Sequence, residues 1–331
     1  MTGVTLAATP PAPSTLLTRD AWRPALIFIV LALVPVLAWL LAAHYLVDLA
    51  ARVMIFAVAA VALDLIVGYG GLVSFGHAGF IGLGAYAVGI LSAEGIGDTL
   101  ISLPAAIAVS MLFAFCTGAV CLRTKGVHFI MMTLAFGQMI YFVATSLAPY
   151  GGDNGLTIAA RNTVAGLPLL KSDLAFYYVI LIGLFVTYLF CRALVGSRFG
   201  RVLRGSKENS IRIATIGFDV KRFQLLAYVI SGGLAGLSGF LLANSTEFVS
   251  PAYMSWQRSG ELIVMVILGG VGTLDGAIIG SAAYLLSEDW LSRLMENYRV
   301  IFGPLLILVV LFARGGLIGL GSDLWRRSSH G

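Results

Sequence analysis

Apolar residues in this chain come in long blocks, not in the short stripes that cover one face of a soluble helix or strand. The blocks run over about 25–43, 51–67, 72–93, 99–121, 128–148, 174–195 and 223–244. Two short ones follow at 261–271 and 274–287, and a last one at 300–313. At a rise of about 1.5 Å per residue, roughly 20 residues span the ~30 Å hydrocarbon core of a bilayer. The pattern predicts an all-α polytopic membrane protein with about ten membrane-crossing segments, some of them short or broken. The first block is longer than the ~7–15 apolar residues of a secretory signal, so it is expected to be an uncleaved spanning helix.

Composition agrees with this pattern. Hydrophobic residues make up 59% of the 331 and charged residues only 11%, too few to solvate the surface of a soluble fold of this size. Residues 1–22, with Pro10, Pro11 and Pro13, read as a disordered cytoplasmic tail. Residues 23–320 read as one transmembrane domain that contains a cytoplasmic loop at 192–222, and 321–331 as a second cytoplasmic tail.

Charge sets the expected orientation. If every block crosses and the N-terminus is cytoplasmic, only Arg52, Arg161, Lys171, Arg258, Arg293 and Arg299 fall outside. The other 15 of 21 Lys and Arg lie inside, as the positive-inside rule requires. Both termini are then cytoplasmic.

Two glycine-rich stretches interrupt the blocks. Gly269-Gly270-Val271-Gly272-Thr273-Leu274-Asp275-Gly276 separates two blocks too short to cross alone. Non-helical backbone at membrane depth is tolerated only where protein or a water-filled cavity surrounds it, and broken helices often mark a substrate path. A tight interhelical turn near the inner surface is the competing reading. The second stretch runs from Gly68 through Gly70-Gly71 to Ser74-Phe75-Gly76-His77-Ala78-Gly79-Phe80. Its Gly70 and Gly71 are expected to break the helix, and Gly76, Gly79, Gly82 and Gly84 to give the next helix a small packing face. An ionisable residue in such a place is either functional or a histidine packed against a neighbouring helix. Ser74, Phe75, Gly76, His77, Gly269 and Gly270 are the candidate path residues.

The loop Arg192 to Arg222 carries eight basic residues. Anchoring explains part of that charge but not its organisation. Ser206 is a candidate cap for a helix ending at Gly217. Such a helix exposes some of Ile211, Ile213 and Ile216, which calls for either a partner's groove or the membrane surface.

Catalytic and metal readings find little support. Cys116, Cys121 and Cys191 lack metal or redox spacing and read as packing residues. His44, His77, His128 and His330 are scattered, and no GxSxG, HExxH or phosphate-binding loop is present. No catalytic residue, metal, cofactor or nucleic-acid partner is expected, and membrane lipid is the surrounding partner. Asp48, Asp64, Glu261 and Asp275 all fall near predicted segment ends, which fits energy supplied by a partner better than proton coupling.

Three stretches together carry a family resemblance: Gly68 to Phe80; Gly200-Arg201-Val202-Leu203-Arg204 through Glu208-Asn209 to Ile216-Gly217; and Gly269 to Gly276. The sequence from about 50 to 325 resembles the LivM-type permease subunits of branched-chain amino acid ABC importers. The resemblance implies a multi-pass subunit of the bacterial inner membrane that is not itself an enzyme. It further implies two cytoplasmic ATP-binding subunits, a second permease subunit and an extracytoplasmic substrate-binding protein. Arg204, Glu208, Asn209, Ile211, Arg212, Ile216 and Gly217 would then couple to the ATPase, and rigid-body rocking would give alternating access. Related permeases import urea and short amides, so the substrate stays open. Ile213 and Thr215 depart from the family's more alanine-rich loop. Outside the resemblance, a self-contained secondary transporter or channel for a small polar solute is the alternative. A membrane enzyme would need convergent catalytic groups that the sequence lacks.

The charge analysis generates one test. In a background lacking the native cysteines, Arg161→Cys is expected to react with an impermeant thiol reagent from outside the cell. Reaction from the cytoplasmic side alone contradicts the topology.

Overall fold

The structure is a computed structural model that describes residues 22–41, 43, 45–167, 170–294, 300, 302–304 and 316–319. It is almost wholly helical. In chain order the helices are α1 (Trp22–Leu40), α2 (Tyr45–Asp64), α3 (His77–Ala93), α4 (Thr99–Cys121), α5 (Val127–Ser146), α6 (Asp173–Gly196), α7 (Arg198–Thr215), α8 (Val220–Thr246), α9 (Trp256–Gly269) and α10 (Leu274–Leu294). A π-helical turn, Leu65–Tyr69, extends α2 without interruption. The only sheet among the described residues pairs β1 (Leu156–Thr157) with β2 (Phe248–Val249).

Six of these elements are long and apolar enough to cross a membrane: α1, α2 with its π turn, α4, α5, α6 and α8. The pair α9–α10 makes a seventh if counted as one bent span, because the two helices meet at 116°. The described residues therefore hold six or seven candidate spans, not ten. Two expectations changed for a physical reason. The block 72–93 is helical only from His77, since Gly71 to Gly76 are spent on a non-helical return. The blocks 261–271 and 274–287 form a hairpin at Gly270–Thr273. The block 300–313 falls mostly outside the described residues, as do both proposed tails apart from Trp22.

The core is built around α2. It packs against α1, α6, α8, α9 and α10, and its residues from Val53 to Tyr69 are all buried. Such a helix, apolar on every side, belongs at the centre of a bundle. By contrast α1, α4 and α5 turn Leu33, Leu112, Phe115, Met131 and Phe142 outward, each more than half exposed, as lipid-facing helices do.

Helix α8 lies against α3 and α4, and glycine permits that approach. A Cβ on Gly84 of α3 would stand 2.8 Å from the Cα of Gly236 on α8. The small face expected on α3 is thus a backbone-to-backbone contact.

Two helices begin part-way through the bundle. The amide of Ala78 at the start of α3 donates to Ser259 Oγ in the first turns of α9 at 3.1 Å. The guanidinium of Arg258 lies 5.5 Å from the ring centroid of Phe56, and Phe56 sits midway along the 25-residue span Tyr45–Tyr69. Helices α3 and α9 therefore start side by side near mid-depth and run to opposite faces. The segment Ser250–Ser255 descends to reach that point, with Met254 seated where a side chain on Gly82 would be. Arg258, assigned outside by its place in the sequence, lies within the span. The remaining 15 to 5 split of Lys and Arg leaves the orientation argument intact.

At the face opposite α7, a long connection is tied down. Arg161 pairs with Asp173 at 2.6 Å and donates to the Asn244 carbonyl. Asn162 donates to Ser102 Oγ, and its amide donates to Asn244 Oδ1 at 2.9 Å. With its side chain only 15% exposed, Arg161 is a shielded place for a labelling cysteine. The exposed Asp153 in the same connection is the better reporter of the same topology.

The glycine contact yields a stability test. Gly84→Leu forces α3 and α8 apart and is expected to cost about 1–3 kcal/mol or more, read as a lower unfolding temperature in detergent. Gly97→Ala meets nothing within 4 Å and is expected to change stability by less than about 0.5 kcal/mol. Equal unfolding temperatures for the two variants would mean that the helices do not touch there.

Candidate functional site

Helix α7 is two helices in one. Ser197 caps its start, accepting from the Phe199 amide at 3.1 Å. Gly200, Val202, Leu203 and Ser206 are buried. At Asn209 the backbone leaves the helical region, with φ −155° and ψ 97°. Asn209 Oδ1 then accepts from the amides of Ile211 at 3.1 Å and Arg212 at 3.0 Å, an N-cap for a fresh turn. Ser206, the cap expected from sequence, instead donates its hydroxyl to the Leu203 carbonyl at 2.7 Å inside the first helix. The predicted stop is where the structure puts it, at Gly217, whose φ of +95° suits a residue without Cβ.

This second turn stands clear of the bundle. Ile211 is 75% and Ile216 64% exposed, and Glu208, Arg212 and Phe218 are exposed beside them. Ile213 folds back, its Cδ1 occupying the space where Gly205 lacks a side chain. Two of the three isoleucines therefore face outward.

The first half of α7 touches the glycine-rich breaks directly. Lys207 Nζ donates to the carbonyl of Gly68 in the π turn at 2.8 Å, and its stem lies over Gly71. The Arg204 guanidinium sits 4.9 Å from the Tyr69 ring centroid. From inside the bundle, Asp64 Oδ1 accepts from the Gly272 amide at 2.8 Å. Gly272, at φ +82°, packs so closely on Gly68 that a Cβ at Gly68 would meet its Cα at 2.6 Å. The two breaks are thus clasped together and read by α7. A cavity of about 250 Å³ opens beside the clasp, lined by Tyr69, Tyr188, Arg192, Arg204, Thr273 and Asp275.

The candidate path residues divide between two places. Ser74, Phe75, Gly76 and His77 form a buried polar knot. His77 is fully buried, with Nδ1 3.1 Å from Ser74 Oγ and Nε2 2.9 Å from Ser231 Oγ. Ser231 in turn donates to the Ala62 carbonyl. The Phe75 amide donates to Thr133 Oγ1 at 3.2 Å, and the rings of Phe80 and Tyr228 close over the imidazole edge-on. Gly269 and Gly270 lie elsewhere, at the α9–α10 hairpin, where Gly269 packs on Gly276. The two stretches meet through Gly68 and Gly272 rather than through His77 and Gly270.

Sequence reasoning passed over Ser231 and Ser259, took Lys207 and Arg258 only as loop charges, and placed Asp64 and Glu261 at segment ends. A carboxylate such as Asp64 within an apolar run was itself a signal. The serines carried none, because their partners lie more than 150 residues away in the chain.

Comparison with known proteins places this geometry. A family model described as "Branched-chain amino acid transport system / permease component" matches residues 45–311. The permease protein LivM of the high-affinity branched-chain amino acid transport system of Salmonella typhimurium is 27% identical over 317 residues, 88% of this chain and 74% of that protein. LivM of Escherichia coli matches to the same extent. LivH of Salmonella typhimurium, a permease protein of the same system, is 32% identical over 127 residues, 37% of this chain and 40% of that one. No solved structure matches. The chain belongs to the family of branched-chain amino acid transport system permease components.

Proposed function

We propose that the chain is the membrane-spanning permease subunit of an ATP-driven importer. It passes branched-chain or related small amino acids across the bacterial inner membrane by alternating access. Its partners in this reading are cytoplasmic ATP-binding subunits, a second permease subunit and an extracytoplasmic substrate-binding protein, and α7 faces the cytoplasm with both termini. The roles of these relatives support the substrate class. Urea or short amides are the alternative cargo, favoured by no contact among the described residues.

One observation carries the reading: an exposed apolar turn, Ile211 and Ile216, stands on a helix whose other half grips the breaks at Gly68 and Gly71. A partner groove that takes the isoleucines gains apolar burial, with Glu208 and Arg212 at its rim to set register. Movement of the groove then reaches the π turn through Lys207 and Arg204 without passing through the lipid-facing helices. In this reading Arg204 transmits rather than docks. Asn209 shapes the docking turn, and Gly217 ends it.

Docking and transmission are separable. Replacing Ile211 and Ile216 together with Asp places charge in an apolar groove and is expected to reduce co-purification of the ATP-binding subunit at least tenfold, with insertion unchanged. Intact assembly in that variant would leave α7 only a topological anchor. Lys207→Met keeps the docking turn and is expected to retain assembly while substrate-stimulated ATP hydrolysis falls several-fold. Full stimulation in Lys207→Met would remove the Gly68 contact from the coupling route.

A further inference from the structure

The cost of ionised groups at mid-membrane makes one pair stand out. Arg258 Nη1 and Glu261 Oε2 lie 2.5 Å apart on one face of α9, each side chain 27% exposed. The guanidinium stacks over Phe56 halfway along the most deeply buried span. A charged side chain at this depth is expensive and is kept for a pathway, a relay or a pairing. The pair is also not sealed. Gln257 on the same face is exposed, Gly260 between the two charges offers no side chain, and Phe75 and Val264 border it half-buried. The nearest heavy atom to a Cβ at Gly260 would be Phe75 Cε1 at 3.8 Å.

We infer that Arg258 and Glu261 form a transit site for the head group of an α-amino acid zwitterion, Arg258 taking the carboxylate and Glu261 the ammonium. The inference rests on the amino acid permease reading and assigns its mid-depth contact. A guanidinium fork matches a carboxylate, and the first-turn amides of α9, which lack intrahelical partners, add positive potential on the same side. An α-amino acid zwitterion carries its two charged groups on one carbon, so it can replace the Arg258–Glu261 contact with two contacts of the same sign pattern. The unoccupied pair compensates itself and closes when the cargo leaves. The apolar side chain of the cargo then meets Phe75 and Val264. Selectivity at such a site lies in the head group, with little discrimination among aliphatic side chains.

The test uses the whole importer, this chain with its partner subunits, reconstituted in liposomes with radiolabelled leucine, loaded binding protein and ATP. A pair that only staples α9 tolerates removal of both charges together, since neutralising both partners leaves no unpaired ion. A transit site does not. The double variant Arg258→Gln/Glu261→Gln is therefore expected to lose at least tenfold in leucine uptake, with assembly and basal ATP hydrolysis within twofold of the unmodified complex. Uptake within twofold would overturn the site. If the double variant does not assemble, arginine footprinting of the unmodified complex decides. Phenylglyoxal modification of Arg258, read by mass spectrometry, is expected to slow at least threefold during turnover with leucine-loaded binding protein, relative to ATP with empty binding protein. Equal modification, or none in either condition, overturns the site. Failure of the unmodified complex to import any amino acid would instead sink the permease reading itself.

Discussion

Wherever a helix breaks inside a membrane, lipid offers the freed amides and carbonyls no partner, so protein or a water-filled cavity must supply one. This structure meets that demand with side chains borrowed from other helices. Thr133 takes the Phe75 amide, Ser259 the Ala78 amide and Asp64 the Gly272 amide, while Lys207 serves the Gly68 carbonyl. Each bond joins a break to an element distant in sequence, so the breaks are where the bundle is sewn together. Between them these bonds tie the breaks to α2, α5, α7 and α9.

That arrangement gives α7 an unusual reach. In most bundles a surface helix moves its neighbours by packing, residue against residue. Here Lys207 and Arg204 engage the π turn and its tyrosine directly, and the π turn is already the place where the hydrogen-bond register of α2 slips. On the other side Asp64 holds Gly272, so the same turn is linked to the α9–α10 hairpin. A shift of α7 is thereby offered to both glycine-rich breaks together, through contacts a few ångströms long.

Much of this was legible from the chain alone. The apolar blocks gave the spans, the paired glycines gave both breaks, and Ile211, Ile216 and Gly217 gave the outward turn and its end. Three readings missed for identifiable reasons. Ser206 and Asn209 both suit a cap, and only tertiary packing, which buries Ser206 among Leu203 and Val202, decides between them. The described residues hold six or seven candidate spans against ten blocks, because a linear scan cannot see a helix that starts part-way through the bundle, as α3 and α9 do. The serines that bind His77 and Ala78 are ordinary residues in sequence, with partners 154 and 181 positions away.

The same mid-depth start revises an argument about energy. Reading Glu261 as a segment-end carboxylate counted against proton coupling, and the structure moves it, with Arg258, to the level of Phe56, midway along the span Tyr45–Tyr69. Position alone no longer supports that conclusion. What bears on it is the pairing of Glu261, which faces Arg258 at 2.5 Å; Asp64 gives one oxygen to the Gly272 amide and keeps the other buried without a hydrogen-bond partner. A carrier driven by protons needs a carboxylate that gains and loses its proton as the site changes sides, reached by water from each side in turn. Glu261 is compensated by a permanent cation on the same helix face, which travels with it through any rigid-body motion of α9. Such a pair is suited to exchanging partners with a doubly charged cargo and ill suited to carrying a proton.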